Sequence, residues 1–169
     1  HETLEYAVAL LPWRHERRFV ELKRLVDDRT IEDVSLCRFS CTTIGAPMDL
    51  AAILYREFDL LEWIVGRPIV SLHASIAADR FANVLAQLDA GPVASIEAGV
   101  TLPAGACPAV IDRHELIARR GVASDRVVDT QMPQKSVYLF TPDGRKEYTD
   151  TDAELFGLSE DEIALVRAA

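Results

Sequence analysis

The sequence predicts an α+β fold: a largely antiparallel, open-faced sheet with helices packed on one of its faces. Three observations carry this expectation. Helical and strand-like patterns mix over the first third of the chain, and a run of strand-length segments separated by turn residues follows. The length of 169 residues is that of one ordinary domain or of two very small ones, and 49% hydrophobic with 27% charged residues is the composition of a folded chain. A chain of this size buries roughly 70% of the surface its unfolded form exposes, so its core needs no metal or disulfide staple.

The elements follow in order. Residues 4–11 form a short apolar run, a buried strand ended by Pro12. Over 14–28, Phe19, Leu22, Leu25 and Val26 recur at helical spacing with charges on the other face. Residues 34–43 alternate as a strand does, and Gly45, Pro47 and Asp49 then break the chain. Asp49 is a good N-cap for a helix over 50–65, which carries Ile53, Leu54, Leu60, Leu61 and Ile64 and stops at Gly66-Arg67-Pro68. Strand-length segments come next at 69–76, 81–88 and 93–102, the last two joined by Ala90-Gly91-Pro92, and then at 109–117, 126–129 and 136–140. Pro142-Asp143-Gly144 is a strong turn signal, returning the chain antiparallel over 146–149. Ser159 followed by Glu162 is a capping box that opens a last helix through Val166.

Charge and cysteine content narrow the partners. Lys and Arg total 18 against 27 Asp and Glu, a formal net charge of −9, which repels phosphate backbones and anionic lipid. Nucleic acid and membrane surfaces are therefore not expected as partners. No apolar run approaches the ~20 residues that span a bilayer, and the first residues lack the basic and apolar regions of a signal peptide. Three cysteines, Cys37, Cys41 and Cys107, cannot all pair within the chain. Cys37 and Cys41 fall on one face of a strand, roughly 13 Å apart at full extension, too far for a disulfide, which needs Cα atoms within about 7 Å. Buried reduced thiols in a cytoplasmic protein are the expectation. The chain begins at His1 rather than at a methionine, which fits a piece of a longer protein.

Two groupings hold chemistry of interest. In Tyr55-Arg56-Glu57-Phe58-Asp59, Arg56 and Asp59 lie three apart on one helical face and Tyr55 sits four before Asp59. A cation, a carboxylate and a phenol so placed fit either a polyol or carboxylated-sugar site, or a solvated local ion pair worth a few tenths of a kcal/mol. Trp13-Arg14-His15-Glu16-Arg17-Arg18 is either an anion site or a charged solvent face, and its cations oppose the dipole at a helix start. His1, His15, His73 and His114 show no metal spacing, and His73 within a strand suits a sheet surface or an interface. Asp150-Thr151-Asp152 with Glu154 lacks the glycine and later glutamate of a cation loop. No glycine-rich phosphate loop occurs, so no nucleotide site and no cofactor are expected in this chain.

Taken in order, the pieces resemble the C-terminal domain of the Gfo/Idh/MocA oxidoreductases, the glucose–fructose oxidoreductase and inositol dehydrogenase family. Residues 6–11 followed by Arg14 resemble the family's strand after the nucleotide domain, which ends in an arginine, and 19–28 the helix behind it. Thr30-Ile31-Glu32-Asp33-Val34 is similar to its "Ile-Gly-x-Val", with Glu32 in place of glycine. Asp59-Leu60-Leu61-Glu62-Trp63-Ile64-Val65-Gly66 resembles "Asp-Leu-Leu-x-Trp-Leu-x-Gly". Residues 113–125 look like an "isoleucine-glutamate-x-x-Gly-x-x-Gly" strand pair, and Tyr138-Leu139-Phe140 like the late edge hairpin.

The resemblance implies a glyceraldehyde-3-phosphate-dehydrogenase-like C-terminal domain. Residues 1–169 would form one substrate-binding and oligomerisation domain, with NAD or NADP held by an N-terminal Rossmann domain outside this chain. It implies a homo-oligomer, dimer or higher, through the sheet face, and a small-molecule substrate bound by Arg14, Tyr55, Arg56 and Asp59. The family places "Asp-x-Gly-x-His" before the Asp-Leu-Leu segment. Aligned on Asp59, these positions hold Ala52, Leu54 and Arg56. Arginine cannot exchange a proton near neutral pH, so Arg56 suits an anionic substrate group instead, and Glu57 is the alternative base. Two functions follow. One is the substrate side of an NAD(P)-dependent oxidoreductase for a sugar, polyol or related hydroxy compound, inactive alone. The other is a non-catalytic binding or scaffolding relative that kept the fold and lost the histidine.

Overall fold

The computed structural model describes residues 11–44, 48–101, 110–125, 136–141, 144–149 and 152–168. A 3-10 turn, Pro12–His15, precedes α1 (Arg17–Asp27) and β1 (Val34–Ile44). Helix α2 (Leu50–Val65) follows, then β2 (Ile69–Ala77), β3 (Phe81–Leu88), β4 (Val93–Thr101), β5 (Val110–Ala118), β6 (Gly121–Ser124), β7 (Ser136–Thr141) and β8 (Gly144–Thr149). Two helices, α3 (Asp152–Phe156) and α4 (Glu160–Ala168), end the described chain. The strands form one eight-stranded sheet in the order β2-β3-β4-β1-β5-β6-β7-β8, antiparallel except for the parallel pair β1–β4. This is the expected α+β class.

One face of the sheet makes the core. Cys37, Phe39 and Cys41 of β1, Ala82, Val84, Ala86 and Leu88 of β3, and Ala94, Ile96 and Ala98 of β4 are buried. Against them lie Phe19, Leu22 and Leu25 of α1 and Ile53, Leu60, Leu61 and Ile64 of α2. Both cysteines are free thiols pushed up to about 12 by burial, which makes them inert packing groups. Cys107 lies outside the described residues, as do the expected strand over 126–129 and all of 4–11 except Leu11.

The helix ends match their sequence signals. Asp49 accepts from the Ala52 N–H at 2.7 Å, and Gly66 closes α2 in the left-handed conformation at φ +70°. Asp49→Ala should lower stability by about 1 kcal/mol, read as a shifted urea midpoint at constant slope. Ser159 and Glu162 form the expected capping box, the Ser159 N–H donating to Glu162 at 2.7 Å and the Glu162 N–H to Ser159 at 3.3 Å.

Several expectations are corrected. The first helix starts at Arg17 rather than at residue 14, because Pro12 opens a separate 3-10 turn before it. Asp152 heads α3, a short helix not expected from the sequence. Gly121–Ser124 pairs with β5 and β7 as β6, the second strand of the pair expected over 113–125. Ile96 is fully buried on the helix side, since the strand's period of two puts it with Ala94 and Ala98. Phe81, Leu85 and Val93 do lie on the open face, 45%, 56% and 44% exposed.

Candidate functional site

The core-facing positions of β5 are Asp112, His114 and Leu116, paired respectively with Cys41, Phe39 and Cys37 of β1. Two ionisable groups therefore project from an otherwise apolar sheet toward the helices. Helix α2 meets them with Arg56 and Glu57, which occupy the same stripe as Ile53, Leu60, Leu61 and Ile64 and are likewise buried. Arg18 from α1, Glu16 at its head and Asp125 just past β6 complete the cluster.

His114 sits at its centre, fully buried. Its Nδ1 is 2.6 Å from Asp125 Oδ2 and its Nε2 is 3.0 Å from Glu57 Oε2. Carboxylates only accept, so the form that satisfies both contacts is the imidazolium, protonated on both nitrogens. Burial opposes that charge, but Asp125 and Glu57 outweigh burial and raise the group to about 9. The ring stands edge-on to Phe19 and Phe39, with centroids 4.7 and 4.8 Å away. The His114 N–H also donates to Asp125 Oδ1 at 2.7 Å, and the Asp125 N–H donates back to the His114 carbonyl at 3.0 Å.

The arginines tie the carboxylates together. Arg18 donates from Nη1 and Nη2 to Asp112 at 2.8 and 2.7 Å, from Nη1 to Asp125 at 3.0 Å and from Nε to Glu16 at 2.9 Å. Arg56 donates to Glu57 at 2.6 Å and to Asp112 at 2.9 Å. Burial pushes Glu57 and Asp112 toward the neutral form, yet both are held below the usual carboxylate range: Glu57 by His114 and then Arg56, Asp112 by Arg18, His114 and Arg56. The cluster can lock α1, α2, β5 and β6 together. At neutral pH its histidine has no free nitrogen to act as a base.

A second, more accessible group flanks it. Arg14 forms a two-point contact with Asp59, and the Trp13 Nε1–H donates to the same carboxylate at 2.7 Å. Burial works against the Asp59 anion, but Arg14 and Trp13 prevail and its pKa is lowered. Tyr55 is 55% exposed and stands edge-on to Trp13 at 6.0 Å.

The four residues expected at a substrate site thus fall into two places. Arg14, Asp59 and Tyr55 gather around Trp13, whereas Arg56 turns inward to Glu57 and Asp112. The local Arg56–Asp59 ion pair does not form, because each residue finds a partner on another segment: Asp112 for Arg56 and Arg14 for Asp59. Within the basic run from Trp13 to Arg18, Arg14 and Arg18 point at carboxylates of the chain itself rather than forming an open anion site, and Arg17 lies on the solvent face, paired with Glu21. Among the described residues no group of three or more His, Cys, Asp or Glu side chains could hold a metal ion. No described helix is long and apolar enough to cross a membrane.

The domain's architecture recurs in solved oxidoreductases. An oxidoreductase from Sinorhizobium meliloti superposes with a TM-score of 0.71 at 12% identity, over 88% of this chain and 44% of that one. The scyllo-inositol dehydrogenase of Lactobacillus casei gives 0.61 at 19% identity, over 94% of this chain and 51% of the enzyme. An oxidoreductase from Agrobacterium radiobacter, in complex with NAD+, L-tartaric acid and magnesium, gives 0.63 at 12% identity, over 93% and 51%. The chain therefore spans about half the length of the structures it matches. At these identities the likeness establishes a shared fold, that of one part of an oxidoreductase. No family model matches the sequence, and no curated protein is similar to it.

Proposed function

We propose that this chain is the substrate-side and subunit-pairing part of an NAD(P)-dependent oxidoreductase acting on a sugar, polyol or related hydroxy compound in the cytoplasm. The observation that carries this reading is the match of more than nine-tenths of the chain to about half of a scyllo-inositol dehydrogenase, an enzyme also solved with NAD(H) and scyllo-inositol. The described residues do not themselves suit a dinucleotide. The starts of α1 and α2 carry the carboxylates Glu16 and Asp49, where a pyrophosphate needs unobstructed N–H groups behind a glycine-rich turn. The cofactor belongs to another part of the protein, and the chain alone is inactive.

Within this reading Tyr55 and Arg14 present the accessible polar groups for the substrate, Asp59 fixes the Arg14 guanidinium, and Arg56 supplies positive charge behind them. Tyr55→Phe in the full-length protein should weaken substrate binding by about 0.5–1.5 kcal/mol, the net worth of one hydrogen bond, seen as a raised KM at unchanged stability. The open sheet face is proposed to pair with a second copy. It carries the exposed Phe81, Leu85 and Val93 and, on β1, β4 and β5, a cavity of about 230 Å³ lined by Arg38, Phe39, Ser40, Ser95, Glu97 and Arg113, and Leu85→Asp should abolish that pairing.

A non-catalytic binding or scaffolding role is the second reading, favoured by Arg56 standing at the family's histidine position with its charge bound to Glu57 and Asp112. One experiment separates the two. The full open reading frame and this 169-residue chain are assayed side by side for NAD(P)+ reduction with a panel of polyols and sugar acids. Calorimetry with NAD(H) and NADP(H) accompanies the assay. Turnover by the full product, with neither turnover nor cofactor binding by the chain, supports the enzyme. Cofactor binding by the full product without turnover on any substrate supports the scaffold.

A further inference from the structure

We propose that β2 is an association edge, at which two copies of the chain join antiparallel, β2 to β2, about a two-fold axis through His73. This contact is separate from the open-face pairing proposed above and does not depend on it. Strand β2 ends the sheet, so its outer row of N–H and C=O groups has no strand beside it among the described residues. It is nine residues long, and eight of the nine are exposed. Val70, Leu72 and Ile76 are 60%, 52% and 57% exposed. Sheet edges are normally blunted by charged residues or proline. The segment Ile69-Val70-Ser71-Leu72-His73-Ala74-Ser75-Ile76-Ala77 contains neither. In a chain of net charge −9, which repels its own copy, this is a neutral edge with open hydrogen-bonding capacity.

The strand is also complementary to itself in one register. With His73 facing His73 of the second copy, Leu72 faces Ala74 and Ser71 faces Ser75, the regular stretch of the strand ending at Ser71, where the register shifts at Val70. Apolar residues meet apolar ones on the helix side of the sheet, and serines meet serines on the open side. The strand ends agree. Arg67 and Asp79, both exposed, flank the strand at its two ends, so an antiparallel pair brings the basic end of each copy toward the acidic end of the other. Moving the axis by one residue, to Ala74, breaks the serine pairing. Arg67 already donates to the Asp89 carbonyl at 3.2 Å, which holds it at this end of the strand.

Leu72 and Ala74 are exposed on the helix side, away from the open face, so charges there test this contact alone. In Leu72→Lys/Ala74→Lys each lysine faces a lysine of the other copy. Its mass by light scattering should be half that of the unmodified chain. Leu72→Glu/Ala74→Glu should fall equally, and an equimolar mixture of the two variants should recover the full mass. Opposed Cα atoms in an antiparallel pair are about 4.5–5.5 Å apart, within disulfide reach. His73→Cys in a Cys107→Ser background should therefore cross-link to itself under mild oxidation. Ser75→Cys, displaced by about 13 Å from its own copy, should not. If the open faces do not pair, both masses fall by the same factor, and the twofold ratio and the cross-link persist. Equal masses for the lysine variant and the unmodified chain, or failure of His73→Cys to cross-link, would overturn the proposal.

Discussion

Replacing Arg18 by leucine is expected to destabilise the fold by about 3–5 kcal/mol, the scale for removing one partner of a buried ion pair. Arg18 is 6% exposed and reaches three carboxylates from different parts of the chain: Glu16 beside it, Asp112 on β5 and Asp125 beyond β6. Its removal leaves Asp112 dependent on Arg56 and Asp125 dependent on His114, within a cluster that already holds four carboxylates. Leucine restores the apolar volume under Phe19 but none of the charge, so the loss is electrostatic rather than a cavity. The contrast is Arg29→Ala. That side chain pairs with Asp33 at 3.1 Å, with the two side chains 72% and 66% exposed, and its loss should cost less than about 1 kcal/mol. Urea unfolding at pH 7 gives both values. An Arg18→Leu cost no larger than that of Arg29→Ala would mean that the cluster holds little of the stability.

The fold class and most element positions were legible because their signals are local. Asp49, Gly66 and Pro68 bracket α2, the period of two marks β1, β3 and β4, and Ser159 with Glu162 starts α4. Two elements were not. Strand β6 is four residues long, too short for a period, and only the resemblance of 113–125 to a strand pair marks it. Helix α3 is five residues long, too short to show a helical period.

The charged cluster was missed for a different reason, although its trace is present. Positions 53, 56, 57, 60, 61 and 64 form one continuous helical stripe, and Arg56 and Glu57 lie squarely within it. Likewise Asp112 and His114 alternate with Arg113 and Glu115 and share Leu116's side of the strand. Charged residues on such a stripe look outward-facing when read alone, because burying any one of them is prohibitive. Only the simultaneous presence of opposite charges from α1, α2, β5 and the segment after β6 makes burial tolerable, and those segments are up to 107 residues apart. The Arg14–Asp59 pair, 45 residues apart, is hidden in the same way behind the nearer Arg56.

Stability is expected to fall as the pH rises through about 9. His114 is raised in the folded chain from an ordinary 6.5 to about 9. A group whose folded pKa lies above its unfolded value binds its proton more tightly when folded. The stability it adds is therefore fully present below about 6.5 and is lost progressively up to about 9. At the acid end Glu57 and Asp112 act in the opposite sense. Both are lowered in the fold, so their contribution is present above the ordinary carboxylate range and disappears as the pH drops below it. The optimum should lie between the carboxylate range and 6.5, with an alkaline decline that begins well before lysines titrate. The loss across that decline is on the order of a few kcal/mol, since a tenfold gain in proton affinity on folding is worth about 1.4 kcal/mol. Urea midpoints measured from pH 5 to pH 10 give the curve, and NMR of the His114 ring supplies the site-specific check. Its carbon shifts should stay at the imidazolium value from pH 6 to pH 8. A ring that titrates near 6.5 would show that Glu57 and Asp125 do not hold the second proton, and the alkaline decline would then have to come from another group.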